Sequence, residues 1–265
     1  MRYFIEIRFN GKNYHGWQIQ PDATSVQGKV TDALSVILRS KIAITGAGRT
    51  DAGVHALQLF AHFDIDFMLD EKEIKQKLNA FLPDDIVIMA VILVDDDAHA
   101  RFNAVGRSYI YRIWLGRNPF LLDTTWQLYQ QQLDIKKMNE AASVLLEYTN
   151  FKCFSKSKTD VKTYTCKITE AIWELNGDML IFRITADRFL RNMVRAIVGT
   201  LIDVGLGKKT KEDVIIIIKS EDRSNAGVSV PPQGLFLSKV LYLNEIFKNG
   251  SYDPKKNINE RKSIG

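Results

Sequence analysis

Cysteine is scarce in this chain: Cys153 and Cys166 are the only two in 265 residues. Their number and spacing exclude a disulfide framework and a cysteine-based zinc site, and they suit a reducing cytoplasm. Long apolar runs are missing as well. A bilayer-spanning helix needs about 18 or more such residues in a row, so no membrane span is expected. The four histidines, His15, His55, His62 and His99, form no H-E-x-x-H pair, so a metal of the zinc-protease kind finds no ligand set. Gly205 to Thr210 lacks the spacing of a P-loop, and no serine or cysteine sits in a nucleophile elbow. The opening run from Met1 carries Glu6 and Arg8 inside its apolar pattern, which reads as a strand rather than a signal peptide.

Positive charge is thin once it is located. The formal excess is +5, and Phe247 to Gly265 holds five basic residues against two acidic ones, so the tail supplies three of those charges. Local clusters must therefore carry any case for a polyanionic partner. The composition, 46% hydrophobic and 25% charged, is that of a globular protein long enough to bury a full core.

What stands out is a glycine-punctuated loop, Gly46-Ala47-Gly48-Arg49-Thr50-Asp51-Ala52-Gly53-Val54-His55, which holds one carboxylate between two strand-like runs. Glycine lets such a loop turn sharply and lie close to a ligand. Its spacing is not G-x-G-x-x-G, and a strand follows where a dinucleotide fold needs a helix, so a nicotinamide or flavin site is excluded.

Periodicity predicts strands at 3–9, 42–45, 56–65, 86–94, 107–115, 165–175, 179–186 and 235–243. Helices are expected after a Thr24–Gln27 capping box, after Asp70, from Asp134, from Phe189 to Val204 and from Thr210. Each half thus runs strand, helix, strand, strand, helix, strand. That order predicts an α+β fold of two ferredoxin-like (split βαβ) halves, each an antiparallel sheet with helices on one face. The expected units are a catalytic-loop domain over 1–104, a second domain over 105–246, and a mobile polar tail over 247–265. Free faces of such sheets suit single-stranded RNA.

Three more clusters carry chemistry. Tyr109 and Tyr111 share one face of their strand, so both fill the core or both meet a ligand. Arg188, Arg191 and Arg195 fall at i, i+3 and i+7 near the start of the predicted helix, where its dipole gives cations nothing; they point to phosphates or to Asp51. Lys152, Lys156, Lys158, Lys162 and Lys167, opposed only by Asp160, are interleaved with Phe151, Phe154 and Tyr164, a pattern for tracking a nucleic-acid backbone while stacking on bases. One carboxylate among arginines is the chemistry that remains.

Gly48-Arg49-Thr50-Asp51-Ala52-Gly53-Val54-His55-Ala56 resembles the active-site motif of the tRNA pseudouridine synthases of the A type. Further motifs follow in the family's order: Tyr14 to Gln20, His99-Ala100-Arg101-Phe102, Arg107 with Tyr109 and Tyr111, Phe189 to Gly199 around Met193-Val194-Arg195, and Gly234-Leu235-Phe236-Leu237. The resemblance implies isomerisation of uridine to pseudouridine at positions 38, 39 and 40 of the tRNA anticodon stem-loop. It also implies a homodimer that needs no cofactor, with a cleft between the two halves of the fold. By the same resemblance Asp51 is the catalytic aspartate and Tyr109 the tyrosine that stacks on the target base. Arg195 pairs with the aspartate, Arg49 pushes into the RNA as the base leaves its stack, and Leu237 helps line the pocket. Arg191 and Asn192 depart from the pattern, standing where the family has more histidine or aromatic character. Val230-Pro231-Pro232-Gln233 replaces its small-residue approach.

The residues leave open whether Asp51 attacks the sugar or the uracil ring. The competing class is a non-enzymatic RNA-binding protein on the same scaffold, which has no use for a carboxylate that repels phosphate. A hydrolase normally uses two cooperating acids, and no second acid lies near Asp51 in sequence.

Overall fold

The computed structural model describes residues 1–129, 132–156 and 161–247; Lys158 and Asp160 of the basic loop, and the tail from Lys248, lie outside the described residues. Strand β1 (Arg2–Phe9) alternates as expected, yet both of its faces are covered: Tyr3, Ile5 and Ile7 on one side and Phe4 and Glu6 on the other have no exposed surface. The cause lies at the far end of the chain. Phe247 bridges Val94, and Phe60, Tyr242 and Phe247 surround Phe4. Glu6 is satisfied there by Gln58, whose Nε2 donates to its Oε1 at 2.9 Å.

The elements that follow are α1 (Val26–Leu38), β2 (Thr45–Gly46), β3 (His55–Asp64), α2 (Glu71–Phe81) and β4 (Ile86–Val94). The second half contributes β5 (Ala104–Trp114), β6 (Trp126–Gln127), α3 (Ile135–Val144), β7 (Ile168–Asn176), β8 (Met179–Ala186), α4 (Met193–Gly205), α5 (Lys211–Ser220) and β9 (Leu235–Tyr242). The result is a mixed α+β fold on a mostly antiparallel sheet, ordered β4-β1-β3-β9-β5-β8-β7. Where the sequence leads to two sheets, the structure has one. Strand β2 is two residues long instead of four and pairs only with the far end of β3, Thr45 with His62 and Gly46 with Ala61. That leaves His55 and Ala56 to pair in parallel with Phe236 and Leu237 of β9. On its other edge β9 runs antiparallel to β5, which sets Leu237 opposite Tyr109.

Two hydrophobic clusters flank this seam. One gathers β1, β3, β4, α1 and α2; the other gathers β8, α3, α4 and α5, and Tyr109 packs against both. Among the described residues no helix is long and apolar enough to cross a membrane.

Two helix starts differ from expectation. Helix α1 is capped by Ser25, which accepts from the Gly28 amide at 3.1 Å, while Gln27 turns away to bond Ile19 and Ile44. Helix α4 begins at Met193 rather than Phe189, because Asn192 adopts a left-handed conformation with φ 66°. Arg188 and Arg191 therefore stand on the irregular lead-in, and only Arg195 of the three lies on the helix.

Candidate active site

The Asp51 loop is pinned from three directions. The amide of Trp17 donates to Thr50 O at 3.3 Å and that of Gly53 to Tyr14 O at 3.2 Å, so the aromatic stretch from Tyr14 to Trp17 backs it. Gly16 allows this approach: it sits at φ +89°, and a Cβ there would stand 2.2 Å from Thr50 O. From the second half, Arg107 Nη2 donates to Ala47 O at 3.0 Å. His55 closes the far side, its Nδ1 accepting from Gly11 N at 2.9 Å and its Nε2 donating to Gln233 O at 3.0 Å. Burial lowers the imidazole's pKa, which keeps it neutral for that pair of bonds. Of the loop glycines, Gly53 needs its positive φ of 75°, and Gly46 yields space to Trp17.

Asp51 then lines a cavity of about 600 Å³ together with Ala52, Lys156, Arg191, Asn192, Arg195 and Arg223. Four cations thus face one carboxylate. Arg191 lies nearest, its Nε 3.5 Å from Asp51 Oδ1. The pairing expected of Arg195 is therefore made by Arg191 in this structure. Arg195 lines the same cavity, but its Nε donates to Val230 O at 2.6 Å, a bond open to it because α4 points that residue at the 223–230 loop. Arg191 is held on both sides: its carbonyl accepts from Lys156 N at 3.0 Å, and Asn192 Nδ2 donates to Ser229 Oγ at 2.6 Å. Arg223 braces the same serine at 2.9 Å and caps the carbonyls of Ala226 and Gly227.

Tyr109 is half-buried on β5 with its ring edge-on to Phe189, centroids 5.1 Å apart. Burial pushes its phenol up to about 12, Arg107 opposing and the Asp51 charge adding to the rise, so at neutral pH it remains a proton donor. Tyr111, on the same face, goes into the second core instead, where its hydroxyl donates to Pro231 O at 2.8 Å. Leu237 is 1% exposed and backs Tyr109 from within the sheet; neither residue is among those around the cavity. Arg49 is exposed on the loop, two residues before Asp51. Arg223 is the site residue that sequence reasoning missed; a lone arginine before Ser-Asn-Ala-Gly carries no spacing signal. Among the described residues no group of histidine, cysteine, aspartate or glutamate could hold a metal ion.

Comparison with known proteins points the same way. The family described as tRNA pseudouridine synthase matches residues 6–103 and 141–243. The chain is 47% identical to tRNA pseudouridine synthase A of Parabacteroides distasonis over 93% of its own length and 98% of the relative's. It is 48% identical to tRNA pseudouridine synthase A of Bacteroides thetaiotaomicron, over 97% and 95% of the two chains. A more distant relative, tRNA pseudouridine synthase A 2 of Clostridium perfringens, is 39% identical over 90% of this chain. With both halves and the Asp51 loop inside the matched residues, the chain belongs to the tRNA pseudouridine synthase family.

Proposed function

We propose that the protein converts uridine to pseudouridine at positions 38, 39 and 40 of the tRNA anticodon stem-loop, with Asp51 as the nucleophile. The observation that carries this reading is a single carboxylate lining a cavity together with four cations, close enough to Tyr109 for its charge to raise that phenol's pKa. The reaction breaks the bond from the ribose to uracil nitrogen, turns the ring and joins the sugar to carbon, and the displaced ring proton ends on nitrogen. Nothing is oxidised and no water is consumed; beside the nucleophile, the step needs a group that carries the proton from ring carbon to ring nitrogen, a part the family resemblance gives to Tyr109. Drawing the base from its stack costs on the order of a few kcal/mol. Stacking on Tyr109, worth roughly 1 to 3 kcal/mol, offsets much of that cost. Lys156, Arg191, Arg195 and Arg223 supply the positive field for the phosphates of the entering nucleotide. In this reading Arg49, which is exposed on the same loop, fills the gap the base leaves.

The homodimer belongs to this reading through the family resemblance, and a cytoplasmic site through the two free cysteines, both buried. So do ferredoxin-like halves divided near residue 104. In their support, β4-β1-β3 with β2 and β9-β5-β8-β7 repeat one spatial order, fourth strand, first, third, second. A non-enzymatic RNA reader on this scaffold gains nothing from Asp51.

The test is to map pseudouridine in unmodified tRNA before and after treatment with the pure protein. Asp51→Asn should bind that tRNA and form no pseudouridine. Turnover by this variant would remove Asp51 from the chemistry.

A further inference from the structure

Phe102 is 76% exposed, yet the turn that presents it is unusually well held. His99 Nδ1 accepts from the amides of both Arg101 and Phe102, at 3.1 and 3.3 Å. Asn103 closes the turn, its Oδ1 accepting from His99 N at 2.6 Å and its amide donating to His99 O at 3.0 Å. The His99 ring supports Phe102 from beneath with centroids 4.2 Å apart, and itself meets His62 edge-on at 4.6 Å. A single exposed aromatic is unremarkable. An aromatic held rigid is different, because stacking on it costs little further conformational entropy.

Its surroundings indicate what stacks there. The Arg101 guanidinium carbon lies 5.8 Å from the Phe102 centroid. Arg107 Nη2 donates to both Arg101 O and Ala47 O, at 2.8 and 3.0 Å, so this turn and the start of the Asp51 loop share one guanidinium group. An apolar π-face beside an exposed cation matches a base with its phosphate, and neither a lipid surface nor a protein helix needs that combination.

We propose that Phe102 and Arg101 form a nucleotide platform beside the Asp51 site: one unpaired base of the RNA stacks on Phe102, and its phosphate meets Arg101. This inference rests on the reading that the substrate is RNA, and it adds a second contact outside the cavity at Asp51.

The test measures the Kd of the full chain for an unmodified tRNA transcript. Phe102→Ala should weaken binding about tenfold, as expected for the loss of one base–aromatic stack. Phe102→Leu should lose about as much, since it keeps apolar bulk without a π-face. Phe102→Trp should bind within about twofold of the parent, with its fluorescence quenched by tRNA. Phe120→Ala, which removes another exposed phenylalanine (91%), should leave Kd unchanged. Wild-type affinity in the alanine or leucine variant would overturn the platform. So would a loss of affinity that tracks dissociation of a dimer in light scattering, which would assign Phe102 to a contact between copies. If tRNA binds in a Phe102-dependent way but no pseudouridine forms, the platform stands and the proposed reaction falls.

Discussion

Arg191 Nε lies 3.5 Å from Asp51 Oδ1, joining the lead-in of α4 to the loop between β2 and β3. The two side chains are 58% and 29% exposed, so the pair adds at most about 1 kcal/mol to stability. Its value lies in orienting the carboxylate. Arg191→Gln should lower kcat/KM on tRNA about tenfold, or roughly 1.4 kcal/mol of transition-state stabilisation, with the urea midpoint unmoved. Arg191→Lys should recover part of the loss, and wild-type kinetics in the glutamine variant would take Arg191 out of the site.

Asn192 holds φ 66°, and its side chain bonds Ser229. Asparagine tolerates this conformation and glycine prefers it, whereas alanine pays about 1 to 2 kcal/mol for it. Asn192→Ala should therefore unfold at lower urea than Asn192→Gly. Both should lose activity, because both release Ser229. Equal stability of the two would show that the left-handed turn is not under strain.

Leu237 sits between Ala56 and Tyr109 in the sheet and is 1% exposed. Truncation leaves a cavity at the seam. Leu237→Ala should cost about 2 to 5 kcal/mol in denaturant unfolding and slow turnover by loosening Tyr109. A loss below about 1 kcal/mol would mean that the site collapses around the gap.

His62 lies on β3 with its Nδ1 accepting from Ala100 N at 3.1 Å. Burial, then the Arg2 charge and His99, push its pKa down to about 4, with Asp64 opposing. Its folded pKa lies below the unfolded value of about 6.5, so between the two the unfolded chain binds more protons and stability rises with pH. The contribution is complete above about 6.5 and is lost as pH falls toward 4, on the order of 3 kcal/mol in all. Urea midpoints measured from pH 4 to 7 should show this slope, and His62→Gln should flatten it. An unchanged slope in that variant would place the titration elsewhere.

Much of the secondary structure was legible because it is local. Asp70 and Asp134 each accept an amide from the first turn they precede, and Thr210 with Asp213 closes a capping box. Chain reversal near Asn176-Gly177 was also legible, although the two-residue loop is Gly177-Asp178: Asn176 still pairs with Met179, and Gly177 takes the positive φ. The failures are also physical. Ile42 and Ile44 look like a strand but are buried without joining the ladder, since apolar side chains can fill a core from irregular backbone. Arg188, Arg191 and Arg195 read as one helical row until Asn192 takes a positive φ, an option asparagine always has and helical periodicity cannot reveal.

The sequence by itself determined the Asp51 loop and the family: one carboxylate among glycines, arginines at a distance along the chain, and motifs in a family's order. Tertiary structure alone decided which arginine meets that carboxylate, which tyrosine stays at the seam between the two cores, and that two sheets become one. Tyr109 and Tyr111 share a face, so periodicity cannot separate them; only the parallel pairing of β9 with β3 brings Tyr109 to the seam and leaves Tyr111 in the second core. Pairing between strands nearly two hundred residues apart depends on which ladder edges remain open after folding, and the short β2 left one open.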